Sequence, residues 1–173
     1  MRRNRAIILP FILLLTILTT AAVAAEVNAS SDSNRNIFKS TLIGVPVGMT
    51  GAAGAIRGVN AGGAPWVAEG KATLHADGTI HVKIEGLLIT GTGTALDGTV
   101  GPVTGVRASL TCQGTNVTAT TGVFPLSSFG DAQIKEVITL PSTCLGPIIL
   151  IRIGSTSSNP GPLLGPWIAA TGF

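Results

Sequence analysis

The chain has 173 residues, including 23 Gly and 10 Pro, and a formal net charge of +3. The Gly and Pro content is below that of disordered low-complexity chains, and Gly has no three-residue period, which excludes collagen. All of the excess positive charge precedes an apolar segment at the start, because residues 26–173 carry eight basic and eight acidic side chains. We therefore predict no nucleic-acid partner.

The first 25 residues have the three-part order of a secretory signal peptide. Arginines occupy three of positions 2–5, an apolar run follows at 7–15, and small residues suit cleavage after Ala24 or Ala25. An uncleaved anchor is the alternative, since about 20 apolar residues just span a bilayer. Either reading predicts export to a secreted, extracellular location, with membrane contact only through the leader.

Residues 26–41 are mostly polar, which predicts a flexible tether. Residues 42–173 contain short alternating or apolar runs separated by Gly, Pro, Asn and Asp, without a helical stripe in any window of about 11 residues. This pattern excludes a helical bundle and argues against βαβ units, which need crossover helices. The sequence therefore predicts a signal peptide (1–25), a tether (26–41) and one all-β domain (42–173).

The clearest element is a β-hairpin centred on Asp77 and Gly78. On both sides of this turn the even-numbered positions are small or apolar, whereas the odd-numbered positions from Glu69 to Glu85 are polar or charged. Both apolar sets reach one face only if the loop has three residues. We therefore predict a type I turn with Gly78 in the left-handed conformation and Leu74 opposite Ile80.

Five later segments are predicted as strands, namely Val106–Cys112, Val117–Thr121, Asp131–Leu140, Ile148–Ile153 and Trp167–Phe173. The third segment loses its alternation near Glu136, which indicates a β-bulge. The fourth is apolar at five of its six positions, as in a strand that is buried on both faces or lies at the centre of a sandwich. About seven or eight strands over roughly 130 residues predict a two-sheet antiparallel sandwich, with a barrel as the alternative.

The two cysteines, Cys112 and Cys144, both lie in the exported part of the chain. An oxidising compartment favours their pairing. The bridge would close a loop of roughly 30 residues and stabilise the fold by about 3–4 kcal/mol in the chain-entropy model. We predict a Cys112–Cys144 disulfide rather than a metal site or a nucleophile.

The hairpin register places His75 and His81 as diagonal neighbours on the polar face. Two imidazoles at that distance could hold a transition metal, but no third ligand falls near them in the pattern. We therefore predict solvated strand positions and no metal site.

The same register places Glu69 opposite Glu85 on the polar face. Two carboxylates about 5 Å apart are the pair that a retaining glycosidase uses as nucleophile and acid. Lys71 and Lys83 lie diagonal to these glutamates and would keep both of them ionised. We interpret the four side chains as an exposed charge lattice and predict no catalytic residue there.

Two Gly-rich stretches, at 51–58 and 91–98, lack the spacing of phosphate and dinucleotide loops. No nucleophile elbow is present, and a Ser-His-Asp triad would need a histidine away from the exposed face. The sequence thus predicts no cofactor. We expect Trp66 and Trp167 to be buried, and an inward-facing Glu136 would need a partner.

Seven short segments carry a family resemblance, namely Pro65–Leu74, Asp77–Thr79, Gly86–Leu87, Gly101–Val103, Ser109–Cys112, Pro141–Leu145 and Ala170–Phe173. Over about residues 56–173 the chain resembles a family of small secreted bacterial β-sandwich proteins without assigned activity. More loosely it is similar to the chordin-type (CHRD) domain, although it lacks the His-x-His segment usual before Gly-Pro-Val. The resemblance implies a single immunoglobulin-like antiparallel β-sandwich and no mechanism.

The leading functional hypothesis is an exported, non-catalytic module that binds a cell-wall polymer, a glycan or another copy of itself. Zero net charge in residues 26–173 weakens colloidal repulsion and favours self-association. A secreted hydrolase is the alternative, with carboxylates from Glu69, Glu85, Asp97, Asp131 or Glu136. A protease inhibitor presenting the loop Thr90–Gly101 is a third. Two N-glycosylation sequons, at Asn28 and Asn116, complete the motifs.

Overall fold

The computed structural model describes residues 35–114, 117–154 and 165–172. The predicted leader with its cleavage site at Ala24 or Ala25, most of the tether and both sequons, at Asn28 and Asn116, lie outside the described residues. Within the described ranges the helical element is one 3₁₀ turn, Gly51–Gly54. No helix in those ranges is long and apolar enough to cross a membrane.

The all-β prediction is confirmed, and every strand pairing is antiparallel. The strands are β1 (Asn36–Gly44), β2 (Trp66–His75), β3 (Thr79–Ile89), β4 (Gly105–Thr111), β5 (Val117–Thr120), β6 (Phe124–Pro125), β7 (Ala132–Val137), β8 (Ile148–Gly154) and β9 (Trp167–Thr171). They follow the order β5-β4-β8-β9-β1-β2-β3-β7, and β6 pairs with β4.

The strands form one continuous curled sheet because β1 belongs to both of its halves. The first part of β1 pairs with β2, whereas Leu42–Gly44 pairs with β9. We call β1, β2, β3 and β7 the hairpin half, and β4, β5, β6, β8 and β9 the second half. Two separately hydrogen-bonded sheets were expected, and the shared β1 joins them instead.

β1 begins at Asn36, so it includes the last six residues of the segment that the sequence assigns to the tether. Pairing with β2 supplies main-chain hydrogen bonds that polar side chains do not prevent. Within this segment Phe38 packs against the core, while Lys39 and Thr41 are exposed. Buried and exposed positions therefore alternate weakly in this segment. Because most of its side chains are polar, the sequence pattern did not reveal a strand.

One hydrophobic core lies between the two halves. Its fully buried side chains include Leu74, Ile80 and Ile134 on one side and Leu110, Ile149 and Ile151 on the other. Trp66 and Trp167 are 5% and 1% exposed, as the sequence predicted. Burial of each Leu or Ile in such a core contributes about 1.5–3 kcal/mol.

The connection 45–65 contacts the outer face of the second half. The indole Nε1 of Trp167 donates to the carbonyl of Gly54 at 2.9 Å, and the amide of Gly62 donates to the carbonyl of Trp167 at 2.8 Å. Leu150 is fully buried between Ile149 and Ile151, which are also fully buried. The apolar run of β8 therefore has both of its faces covered, as its composition predicted.

The hairpin has the register that the alternation predicts. Leu74 pairs with Ile80, and Gly78 has a φ of +87°. The amide of Thr79 donates to Asp77 Oδ1 at 2.8 Å, and this hydrogen bond is the first cause that lowers the pKa of Asp77. A left-handed residue and an Asx hydrogen bond together fix the turn.

The predicted disulfide is confirmed. Cys112, directly after β4, is bonded to Cys144, with 5.0 Å between the Cα atoms. The bridge ties the end of β4 to the connection that leads into β8. Such a bond is typical of proteins that fold in an oxidising compartment.

Candidate functional site

The outer face of the hairpin half is a polar surface built from two rows of paired residues. Because paired residues share a face, each row runs across all four strands. We define the hairpin face as the rows Lys39–Thr73–His81–Lys135 and Thr41–Lys71–Lys83–Gln133, together with Glu69 and Glu85.

Strict alternation turns these side chains outward. Between them Ala72, Val82 and Ile134 point into the core with 0%, 3% and 1% exposure. A one-residue slip of any strand would bury its charges and expose its apolar side chains, so the core fixes the position of the polar lattice.

The hairpin face carries four lysines and two glutamates. Lys71 lies directly opposite Lys83, and Glu69 lies directly opposite Glu85. Lys83 Nζ contacts Glu85 Oε1 at 2.7 Å, with 61% and 55% of the side chains exposed. This hydrogen bond is the main cause that raises the pKa of Lys83. The glutamates are therefore members of a solvated lattice, in which like charges directly opposite one another cost stability.

The two histidines meet at the turn end of the hairpin face. Their ring centroids are 5.5 Å apart in an edge-to-face arrangement. Partial burial, followed by the charges of Lys135 and His75, lowers the pKa of His81. The His81 imidazole is thus neutral near pH 7. Among the described residues no three His, Cys, Asp or Glu side chains are grouped to hold a metal ion.

The other carboxylates proposed for a hydrolase accept hydrogen bonds from loop amides. Asp131 accepts from the amide of Gly86 at 3.1 Å, and Glu136 accepts from the amide of Gly122 at 2.9 Å. Glu136 is half-buried on the inner side of β7, so the amide of Gly122 is the partner that its position required. These carboxylates hold turns and strand edges in place.

One cleft on the hairpin face, of about 450 Å³, brings Glu69 and Glu85 together beside Lys71 and Lys83. A second cleft brings Glu85 and Asp131 together. It has a volume of about 680 Å³ and is lined by Glu85, Asp131 and Lys83, with Leu126 and Pro125 on the far wall. Lys83 pairs with Glu85, and the charge of Asp131 also raises its pKa. The two carboxylates therefore share Lys83 as a positively charged neighbour.

The loop Thr90–Gly101 is exposed and internally braced. Asp97 accepts from the amide and hydroxyl of Thr92 at 3.0 and 2.7 Å and from the amide of Gly93 at 2.9 Å. The hydrogen bonds from Thr92 are the largest causes that lower the pKa of Asp97. Two successive turns follow, in which the amides of Asp97 and Thr99 donate to the carbonyls of Thr94 and Leu96. This compact loop does not offer the extended backbone with which an inhibitor pairs with a protease.

Sequence reasoning missed two lysines of the hairpin face. Lys39 fell within the predicted tether, and Lys135 fell where the alternation of β7 loses its phase. The missed signal was the spacing of Phe38, Ser40 and Leu42, which places Lys39 and Thr41 on the opposite side of a strand.

Comparison of the chain with protein-family models, with curated proteins and with solved structures found no match.

Proposed function

We propose that this protein is an exported, non-catalytic module that attaches to anionic polymers of the cell surface or matrix through its hairpin face. We also propose that the curled sheet is an immunoglobulin-like sandwich related to the chordin-type domain and to the small secreted bacterial family. The observation that carries the functional proposal is the excess of lysine over glutamate on the hairpin face. Lys71 and Lys83 lie directly opposite each other there.

Like charges placed side by side destabilise a sheet, so their arrangement favours a role in binding. A polymer with regularly spaced anions would lie along the rows and neutralise Lys39, Lys71, Lys83 and Lys135. An extended chain can follow the rows across all four strands. Export is supported by the leader in the sequence and by the disulfide.

A non-catalytic role is supported by the way in which the carboxylates are used. Asp77, Asp97, Asp131 and Glu136 each hold a loop amide, and Glu85 contacts Lys83. Each would have to break a structural contact in order to act as a base. The hydrolase alternative would therefore require rearrangement of the cleft around Glu85 and Asp131.

The test is binding of the exported chain to immobilised poly(galacturonic acid), with neutral dextran as the matched polymer. We expect binding to the polyanion alone, weakening steeply as salt rises. The triple variant Lys71→Gln, Lys83→Gln, Lys135→Gln should bind at least tenfold more weakly. These side chains are exposed, so the variant should keep its fold, which circular dichroism checks.

A control of opposite sign is the double variant Glu69→Gln, Glu85→Gln on the same face. It raises the positive charge of the face and should strengthen binding to the polyanion. Equal binding to dextran, or equal affinity of the triple variant and the wild type, would contradict the proposal.

A further inference from the structure

A cleft in the hairpin face is lined by basic side chains from three strands. It has a volume of about 440 Å³ and lies across β2, β3 and β7. The polar side chains in its wall are Lys71, Thr73, His81, Lys83, Gln133 and Lys135. No Asp or Glu in the described part of the chain lines it. Positive charge on the hairpin face is therefore concentrated around this cleft.

The register of the sheet sets the order of these side chains. His81 and Lys83 are two positions apart on β3, so they project from the same face about 7 Å apart. Lys135 of β7 lies directly opposite His81, and Lys71 of β2 lies directly opposite Lys83. Side chains that lie opposite each other have Cβ atoms about 5 Å apart. One oxyanion in the cleft is therefore within reach of His81 and of the lysines beside it.

Two of the three lysines in the wall of the cleft have no carboxylate partner. The one ion pair among the described residues joins Lys83 to Glu85. Lys71 and Lys135 make no ion pair with any residue in the described ranges. Water solvates an isolated exposed cation well, but several cations around one cleft create a local potential that attracts anions. The protein thus presents an anion-binding surface at this point of the hairpin face.

Among the described residues that line the cleft, His81 is the side chain that can change its charge near neutral pH. It lies on the central strand of the cleft and is half-buried. Partial burial, then the charges of Lys135 and His75, lower its pKa, so the free protein holds a neutral imidazole near pH 7. A neutral imidazole has one N–H donor, whereas the protonated ring has two donors and a positive charge.

The groups that face His81 are mostly basic. They belong to β2, β3, β7, the hairpin turn and the outer strand of the row, namely Lys71, His75, Lys83, Lys135, Asp77 and Lys39. The carboxylate of Asp77 raises the pKa of His81, but this effect is smaller than the opposing ones. An oxyanion in the cleft would add negative charge beside the ring and favour its protonated form. The bound anion and the proton would therefore stabilise each other.

We propose that this cleft holds one oxyanion of the polymer and that His81 takes up a proton from solvent as the polymer binds, so that attachment tightens in acid. The inference rests on the proposed attachment of anionic polymers to the hairpin face. The proton adds to the unprotonated ring nitrogen of His81, and the imidazolium donates to the oxyanion. Affinity therefore rises as the pH falls through the pKa of His81 in the complex, and it becomes constant below the lower pKa of the free protein.

The experiment measures binding of the exported chain to dextran sulfate at about pH 7.5 and about pH 5.5, with ionic strength held constant and neutral dextran as the matched polymer. Sulfate esters stay ionised over this range, so the charge of the polymer does not change. We expect the affinity for dextran sulfate to be about fivefold higher at the lower pH. In NMR titrations the ring signals of His81 should have a higher midpoint with sucrose octasulfate, a small molecule that carries the same groups, than without it.

His81→Gln is the decisive variant, because glutamine cannot take up a proton. Its affinity for dextran sulfate should be equal at the two pH values, and circular dichroism checks its fold. His75→Gln is the matched control, since His75 lies on the same face but does not line the cleft. It should keep the rise in acid. The double variant Glu69→Gln, Glu85→Gln should also keep the rise, which separates protonation of His81 from protonation of the glutamates.

The failure of this inference differs from the failure of the proposed function. Equal affinity of the wild type for dextran sulfate at both pH values, or a full rise in His81→Gln, would overturn the proton-coupled site and leave the attachment standing. Equal NMR midpoints of His81 with and without sucrose octasulfate would overturn it as well, and this result does not depend on any variant. Absence of binding to dextran sulfate at both pH values would overturn the attachment itself and the inference with it.

Discussion

Arg57 is the one described residue other than Gly with a positive φ, at +47°. A side chain in this left-handed conformation costs roughly 1–2 kcal/mol. The hydrogen bonds of Arg57 to Thr111 and to the carbonyl of Gly146 offset that cost. The strained conformation of Arg57 therefore allows its side chain to link the connection 45–65 to the second half.

Two variants separate these effects. Arg57→Ala loses the hydrogen bonds and keeps the strain, whereas Arg57→Gly loses the bonds and relieves the strain. We expect Arg57→Ala to lower the free energy of unfolding by about 2 kcal/mol and Arg57→Gly to lower it by about 1 kcal/mol less than that. Urea unfolding measures both, and equal losses would show that the conformation at residue 57 carries no strain.

Asp97 makes the loop Thr90–Gly101 sensitive to acid. Hydrogen bonds to its carboxylate lower its pKa in the folded protein, so the loop is stabilised above the unfolded pKa and loses this contribution as the pH falls through the lower folded value. The amide signals of Thr92 and Gly93 should titrate with a midpoint below 3.8, the ordinary value for Asp. In Asp97→Asn the same signals should show no such transition.

At the scale of the elements, the main chain of β1 at Gly44 packs directly against the main chain of β2. A Cβ placed on Gly44 would come within 2.1 Å of the carbonyl oxygen of Trp66, whereas one placed on Gly63 would meet nothing within 4 Å. Gly44→Ala should therefore destabilise the protein by more than about 2 kcal/mol, and Gly63→Ala should be nearly neutral. Thermal unfolding of the two variants checks this, and similar midpoints would contradict it.

The disulfide can be tested at the same scale. The double variant Cys112→Ala, Cys144→Ala opens a loop with a sequence separation of 32 residues. Its free energy of unfolding should fall by about 3–4 kcal/mol. Wild-type protein reduced with dithiothreitol should unfold at nearly the same urea concentration as the variant. A reduced protein as stable as the oxidised one would show that the bridge adds nothing.

The elements that the sequence predicts well are those in which local pattern and burial agree. The β2–β3 hairpin alternates over its whole length, so its register, its turn at Asp77 and Gly78, and the outward direction of Glu69 follow from side-chain parity. β1 does not follow in this way, because its hydrogen bonds to β2 and β9 come from distant parts of the chain. The pairing of Arg107 with Arg152 cannot be predicted from the sequence for the same reason. The two residues are 45 positions apart, and only the β4–β8 register brings them together.

At the scale of the whole molecule, the two halves of the curled sheet have different chemistry. The hairpin face mixes both signs of charge in water, whereas the second half holds arginines alone, partly out of water. A net charge near zero over residues 26–173 thus conceals two separate electrostatic surfaces.

The shared strand β1 also has a mechanical consequence. A pulling force applied to the chain ahead of Asn36 reaches β1 before any other strand, and β1 is the element that holds the β2 edge to the β9 edge. Extraction of this one strand would split the sheet and expose the core to water. In a protein held at its amino-terminal end, the force that detaches β1 would thus be the force at which the sheet unfolds.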